Sequence, residues 1–117
     1  MKENVVKNKS FAFALRVVKL YQYLQDQKKE FVMSKQLLRS GTAIGALIRE
    51  AEQAESKADF IHKQSIASKE ANETDYWIEL LHKAEYIDEK SYTSIKEDLT
   101  ELLKLLVSII KTAKNNQ

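Results

Sequence analysis

The chain has no proline in 117 residues and only two glycines, Gly41 and Gly45. Proline and glycine are the residues that most often end a helix or a strand, so this sequence contains almost none of the usual breaks. Both glycines lie in RSGTAIGALIREA (39–51), a segment that is otherwise made of helix-favouring residues. The chain is therefore expected to form long helices whose ends are set by capping residues and by loss of apolar periodicity.

Apolar residues recur at steps of three and four, which predicts four helices after a flexible tail at residues 1–9. Ser34, Ser56 and Asp88 are the expected N-caps of the second, third and fourth helices. The first helix carries two apolar stripes, Phe11, Ala14, Val18, Tyr21 and Phe13, Val17, Leu20, Leu24. Each later helix carries one inward stripe, namely Leu37, Gly41, Ile44, Ile48, Ala51, then Phe60, Gln64, Ala67, Ala71, Thr74, Ile78, Leu81, and last Tyr92, Ile95, Leu99, Leu102, Leu106, Ile109, Ala113.

Four amphipathic helices joined by short connections predict an all-α, antiparallel, up-down-up-down four-helix bundle. The bundle is expected to occupy residues 10–115 as a single domain, with the last two helices longer than the first two. Each glycine costs about 1 kcal/mol relative to alanine in a helix interior. Either the glycines allow the second and third helices to approach closely, or the backbone simply tolerates them.

The charge is divided unevenly along the chain. Residues 1–49 hold ten Lys and Arg against three Asp and Glu, or +7, whereas residues 50–117 hold nine against fourteen, or −5. Such an asymmetry indicates either a basic surface that meets a polyanion or two halves of one fold that attract each other. The candidate nucleic-acid-binding residues lie on the first two helices and the loop between them: Arg16, Lys19, Lys28, Lys29, Lys35, Arg39 and Arg49.

The outward face of the third helix is less polar than that of an isolated bundle is expected to be. Ile66, Tyr76 and Leu80 lie on it, with Trp77 beside them, and this favours a second buried surface in a homo-oligomer. Scattered apolar surface residues are common, so an ordinary solvated face is the alternative. Arg39 and Glu73 are expected at similar heights and either are solvated or meet across a subunit boundary.

The sequence offers no pattern of an enzyme or a metal site. It has no cysteine, and its two histidines, His62 and His82, both belong to the third helix about 30 Å apart, too far to share one metal. No spacing of a catalytic triad or of a phosphate-binding loop is present. We therefore expect no catalytic residue, cofactor, metal or small-molecule substrate. There is no signal-peptide core and no apolar run long enough to cross a bilayer, which favours a cytoplasmic protein without membrane contact.

Several polar and apolar positions together resemble a known family. QLLRSGT (36–42), Ile44 and Gly45 are followed by Ser56, Asp59-Phe60, Lys69-Glu70-Ala71, Glu73-Thr74, Tyr76-Trp77 and Leu80-Leu81. This pattern, over about residues 10–113, resembles the four-helix-bundle proteins encoded in intervening sequences of bacterial 23S ribosomal RNA genes, also labelled S23 ribosomal proteins. The chain departs from the family at Leu47, where asparagine is usual, and at Arg49, where an acidic residue is common.

The resemblance implies a non-enzymatic protein of poorly defined role that forms homopentameric rings. It also implies kinship with the accessory proteins of diversity-generating retroelements, which bind nucleic acid and a reverse transcriptase. It does not imply a genuine ribosomal subunit. The resulting hypothesis is an oligomeric binding or scaffold protein for RNA or a nucleoprotein partner, with the oligomer interface at Ile66, Glu73, Tyr76, Trp77 and Leu80. The alternative is an adaptor that binds only proteins.

Overall fold

The computed structural model describes residues 1–116, which form four α-helices and no strand. Helix α1 spans Lys2–Asp26, α2 spans Met33–Glu52, α3 spans Lys57–Lys83 and α4 spans Glu89–Asn115. The connections are four to six residues long, which is the length that joins antiparallel neighbours in a bundle. The molecule measures 48 × 22 × 19 Å, so the helices lie along one long axis.

The helices form a closed ring in which each one packs against two neighbours, in the order α1, α2, α3, α4 and back to α1. Gly41 of α2 faces Val17 of α1, and Gly45 faces Ser10, so the two helices run in opposite directions. The other neighbouring helices are antiparallel as well, as two side-chain contacts show for each. These contacts are Arg39–Glu73 and Glu50–Lys63 between α2 and α3, Asp75–Lys96 and His82–Glu89 between α3 and α4, and Arg16–Asp98 and Lys9–Glu101 between α1 and α4. The four-helix bundle expected from the periodicity is therefore confirmed.

The core is built from the predicted stripes of α2, α3 and α4, whose members are buried except for half-buried Phe60, Tyr92 and Ala113 near helix ends. In α1 only one of the two predicted stripes enters the core. Phe13 is 1% exposed, whereas Phe11, two residues earlier, is 51% exposed. The bundle therefore uses a narrower face of its first helix than the sequence pattern predicted.

The prediction that residues 1–9 form a flexible tail is wrong. Helix α1 begins at Lys2, and Val6 is fully buried within the hydrophobic core. Val6 precedes Phe13 by seven residues, two helical turns, and so extends the same inward stripe. With 25 residues, α1 is about 37 Å long and nearly matches the roughly 40 Å of α3 and α4. Helix α2, with 20 residues, is the short one of the four.

The predicted N-caps are confirmed for α3 and α4 and wrong for α2. The Ser56 hydroxyl accepts a hydrogen bond from the Asp59 N–H, and the Asp88 carboxylate accepts one from the Ser91 N–H. Helix α2 begins at Met33, one residue before the predicted cap. Its first turn is instead held by the Glu30 carboxylate, which accepts hydrogen bonds from the N–H groups of Val32, Met33 and Ser34 at 2.7–3.2 Å.

The two glycines lie against α1, so the prediction that they serve the contact between α2 and α3 is wrong. An added Cβ at Gly41 would lie 2.8 and 2.9 Å from the two methyl carbons of Val17. Helices α2 and α3 are joined instead by a buried hydrogen bond from the Thr74 hydroxyl to the Ser40 hydroxyl, 2.9 Å long. Periodicity had identified the inward face of α2 correctly but could not show which neighbour each position meets.

Gly41→Ala is expected to lower the free energy of unfolding, because the new methyl group would overlap the Val17 side chain. Overpacking of this kind costs about 1–3 kcal/mol, against a gain of about 1 kcal/mol in helix propensity. Urea unfolding, monitored by circular dichroism, measures the net change in the free energy of unfolding. Adding Val17→Ala to the same chain should relieve the overlap. Gly45→Ala is the matched control, since its Cβ would meet the Ser10 hydroxyl at a milder 3.3 Å. A Gly41→Ala variant as stable as Gly45→Ala would contradict this account.

Candidate nucleic-acid and assembly surfaces

The candidate basic residues of α1 and α2 do not lie on one continuous face. Arg16 points towards α4, where its Nη1 lies 2.6 Å from Asp98 Oδ2 and it also donates to both oxygens of Ser94. Arg39 points towards α3 and pairs with Glu73. The α1–α4 and α2–α3 grooves lie on opposite sides of the helix ring. The charges of these two arginines are therefore offset within the chain, on opposite flanks of the bundle.

Arg39 belongs to a small network in the groove between α2 and α3. Glu73 Oε2 accepts hydrogen bonds from Arg39 Nη2 and, at 3.1 Å, from the indole N–H of Trp77, while Arg39 Nη1 lies 3.8 Å from Glu70 Oε1. The hydrogen bond from Trp77 is the main reason that the pKa of Glu73 lies below its ordinary value, and Arg39 contributes in the same direction against partial burial. Arg39 and Glu73 thus meet within one chain, which corrects the expectation that they are solvated or pair across a subunit boundary.

Arg49 lies on the other side of α2, with its guanidinium carbon 5.0 Å from the centre of the Phe11 ring. A guanidinium over an exposed ring is held by a cation–π interaction of about 0.5–1 kcal/mol. Leu47, the other departure from the family pattern, is half-buried and packs against the core. Both replacements therefore have a local packing role in this chain.

Four candidate lysines gather at one end of the bundle, and we call Lys19, Lys28, Lys29 and Lys35 the lysine end. They are exposed and run from the last two turns of α1, through the connection, to the first turn of α2. Within residues 1–116 no carboxylate oxygen lies within 4.0 Å of any of their ammonium groups, although seven other pairs of Lys or Arg with a carboxylate fall in that range. The structure thus separates these lysines from the arginines with which the sequence had grouped them.

The α3–α4 connection lies at this same end. The pKa of the Asp88 carboxyl is lowered, chiefly by the hydrogen bond from the Ser91 N–H and more weakly by the nearby charges of Lys90 and Lys28. Lys28, in the α1–α2 connection, is thus among the positive charges near the start of α4. Acidic residues share this end with the lysines: Asp26 and Glu30 at the α1–α2 connection, and Glu85, Asp88 and Glu89 at the α3–α4 connection.

A groove of about 380 Å³ opens between α1 and α4 beside the lysine end. It is lined by Arg16, Lys19, Leu20, Tyr23, Ile87, Asp88, Ser91 and Ile95. The sequence analysis did not find it, because the periodicity places Tyr23 and Lys19 on the polar strip of α1 without showing what stands opposite. The one available signal was the exposed tyrosine on a strip that otherwise carries cations.

The proposed assembly residues on α3 differ in exposure. Tyr76 is 59% exposed and Leu80 36% exposed, as an unpartnered surface requires, while Ile66 and Trp77 are half-buried. Trp77 packs against the core of its own bundle, and its N–H is already bonded to Glu73. Phe31 and Val32, in the α1–α2 connection, are 50% and 73% exposed and were missed by the sequence analysis because they lie outside any helical stripe.

The comparison with protein families matches a family model described as "23S rRNA-intervening sequence protein" over residues 2–108. The chain belongs to this family. The match includes α1 from its first residue and ends within α4, so it contains the helix contacts and both grooves described above. The resemblance drawn from QLLRSGT and the aromatic pair Tyr76-Trp77 is thereby confirmed.

A solved member of the family has the same fold. The crystal structure of a protein of unknown function from the S23 ribosomal protein family of Bacteroides thetaiotaomicron is 66% identical to this chain, with a TM-score of 0.94. The alignment covers 95% of this chain and 99% of the Bacteroides protein. No curated protein matches the chain in sequence.

In this family member the histidines and carboxylates are dispersed. Within residues 1–116 no three His, Asp or Glu side chains are grouped so that they could hold a metal ion. His82 instead bonds to Glu89 at 2.9 Å and stacks on Tyr92 with 4.0 Å between the ring centres. None of the helices in the same residues is long and apolar enough to cross a bilayer.

Proposed function

We propose that this chain is a non-enzymatic, homo-oligomeric protein of the cytoplasm that binds RNA through its lysine end. The observation that carries the proposal is the gathering of Lys19, Lys28, Lys29 and Lys35, exposed and without an ion pair among residues 1–116, at one end of the bundle. Arg16, Arg39 and Arg49 contribute less, because they are paired with carboxylates or stacked on Phe11. The contacts are directed to phosphates and are largely independent of base sequence.

Self-assembly would make such a small patch effective. Four lysines of one subunit give few phosphate contacts, and binding through them is weak and sensitive to salt. A homopentamer, the assembly that resemblance to the family implies, would repeat the lysine end five times and raise the affinity by avidity. Exposed Tyr76 and Leu80 on α3 support a contact between copies, because apolar groups of this size gain by leaving water.

An adaptor that binds only proteins is the second candidate. Exposed Phe31 and Val32 favour it, because they place apolar surface in the α1–α2 connection beside the lysine end. The two candidates differ in their ligand and in their response to salt. RNA binding through lysines requires an affinity that falls steeply as the salt concentration rises, whereas apolar contacts with a protein do not.

The proposal predicts a difference between two matched triple variants. Lys28→Gln, Lys29→Gln and Lys35→Gln together should weaken binding of a fluorescein-labelled RNA by about tenfold or more at 50 mM salt and should flatten the salt dependence. The control variant removes the same charge from exposed positions on α4, through Lys104→Gln, Lys111→Gln and Lys114→Gln. Its affinity for RNA should change far less. Fluorescence anisotropy measures both. Equal losses in the two variants would show a general charge effect and contradict a site at the lysine end.

The assembly is tested by the mass in solution. Light scattering of the wild type should give a multiple of 13.5 kDa, and Leu80→Asp should reduce it by placing a charge in the contact between copies. Val107→Asp, at another exposed apolar position, serves as the control. A wild-type monomer whose mass is unchanged by added RNA would refute both parts of the proposal.

A further inference from the structure

We infer that the groove between α1 and α4 holds one unpaired nucleotide of single-stranded RNA, with the base on Tyr23 and the phosphate beside Lys19. The inference rests on the proposed function and narrows its ligand from RNA in general to RNA with exposed bases. It rests on three features of the groove: its size, its exposed ring and the distribution of charge along its walls.

The groove has the size and composition of a small-ligand site. Its volume of about 380 Å³ lies within the range of about 300–1,000 Å³ typical of such sites. Leu20, Ile87 and Ile95 form its apolar part, with the polar groups at the edges. It is open to solvent on one side, as a site for one unit of a longer strand must be, because the strand has to enter and leave.

Tyr23 supplies a stacking surface within the groove. Its side chain is 43% exposed, and it follows Lys19 by one helical turn. Every base has an aromatic face, so an exposed ring next to cations binds single strands with little regard to sequence. Phe31, 50% exposed and two residues after Lys29, adds a second exposed ring in the α1–α2 connection. Exposed rings and lysines follow one another from residue 19 to residue 35, a combination that suits single-stranded RNA, whose unpaired bases can stack. A duplex cannot use it, because its bases are already stacked.

The charges fix the orientation of the nucleotide. Arg16 makes three hydrogen bonds to α4 from a group with five N–H donors, so its position is set while donors remain for a phosphate. Lys19 lies beside it and carries no ion pair within residues 1–116. Asp88 lines the groove as well and is ionised at neutral pH, so it repels phosphate and accepts hydrogen bonds from the amino groups of a base. The phosphate therefore lies towards Lys19 and the edge of the base towards Asp88.

The test compares single-stranded and duplex RNA. Fluorescence anisotropy would be measured at 50 mM salt with a labelled 20-nucleotide mixed-sequence strand and with the same strand in a duplex, each titrated with the full chain. Tyr23→Ala should weaken binding of the single strand by about 5- to 100-fold, the usual loss for one stacked base, and leave duplex binding unchanged. Tyr23→Phe, which keeps the ring, should bind the single strand within about twofold of the wild type. Phe11→Ala removes an exposed ring of the same helix that lies outside the groove. It should also bind the single strand within about twofold of the wild type.

The outcomes distinguish this inference from the proposed function. If Tyr23→Ala binds the single strand as well as the wild type does, while the lysine triple variant is weak on both probes, the groove site is refuted and RNA binding stands. If the wild type binds neither the single strand nor the duplex at low salt, both the groove site and the proposed RNA binding are refuted. Tyr23→Leu removes the ring but keeps apolar bulk on α1, so it tests stacking even if the alanine variant does not fold. An affinity of Tyr23→Leu equal to that of the wild type would also refute the groove site.

Discussion

Phe13→Ala is expected to lower the free energy of unfolding by about 3–5 kcal/mol, the largest effect of any single substitution considered for this protein. Phe13 is 1% exposed and is one of the largest fully buried side chains of the bundle. Truncation removes its transfer free energy and leaves a cavity among rigid helices that cannot collapse around it. Domains of this size have a total stability of about 5–15 kcal/mol, so the variant is expected to melt more than about 10 °C lower.

Phe11→Ala is the matched control for this prediction. Both phenylalanines lie in α1 two residues apart, but Phe11 is 51% exposed and its ring contacts Arg49. We expect its loss to cost less than about 1 kcal/mol. Urea and thermal unfolding should be compared at one fixed protein concentration, because the proposed assembly would make the stability depend on that concentration. Similar losses in the two variants would mean that α1 is rotated relative to the arrangement described here.

Glu30→Ala is expected to destabilise the bundle by about 2–3 kcal/mol, the second-largest effect. Glu30 is 7% exposed, and its carboxylate accepts three backbone hydrogen bonds that α2 cannot satisfy within itself. Hydrogen bonds to a charged acceptor contribute more than neutral ones, and their removal leaves N–H groups of the first turn without partners. Glu97→Ala, at an exposed position of α4, should change stability by less than about 0.5 kcal/mol.

The same residue predicts how stability depends on pH. Burial by itself raises the pKa of Glu30, but the hydrogen bonds from Met33, Ser34 and Val32 outweigh burial, so the pKa lies below its ordinary value of 4.5. A carboxyl whose pKa is lower in the folded state stabilises the fold fully above its unfolded pKa and loses that contribution as the pH falls through the folded value. Urea midpoints measured from pH 7 to pH 3 should therefore fall less steeply in Glu30→Gln than in the wild type. Parallel curves would show that Glu30 contributes nothing to acid sensitivity.

The sequence predicted the bundle and most of its core because three of the helices have a strict three-four alternation of apolar residues. Ile95, Leu99, Leu102 and Leu106 leave little freedom in how α4 can face its neighbours, and all four are buried. Helix α1 was harder because its apolar residues cover more than one face, so that Phe11 and Phe13 were equally good candidates. The segment MKENVVKNKS is polar as a whole, which hid its two inward residues, Val6 and Ser10.

The site could be predicted only in part, because a sequence gives the charge of a residue but not its counterion. Arg16 and Lys19 belong to the same helix, yet Asp98 of α4 pairs with Arg16, while Lys19 has no ion pair within residues 1–116. The groove beside them depends on Ile87 and Ile95, some 70 residues later in the chain. Contacts of this kind arise from the packing of α4 on α1. The apolar periodicity predicts that two helices touch, but it does not predict which residues meet.

The closing of the helix ring by α1 and α4 also determines where the two chain ends lie. Glu3 and Asn116 line one cavity, and Lys2 donates a hydrogen bond to Ser108, so both ends lie opposite the lysine end. A fluorescent protein or a surface tether attached to either end would extend away from the lysine end. Helices α1 and α4 are antiparallel, so the two chain ends lie side by side. A force that pulls these ends apart therefore separates α1 from α4 one turn at a time and does not slide one helix along the other.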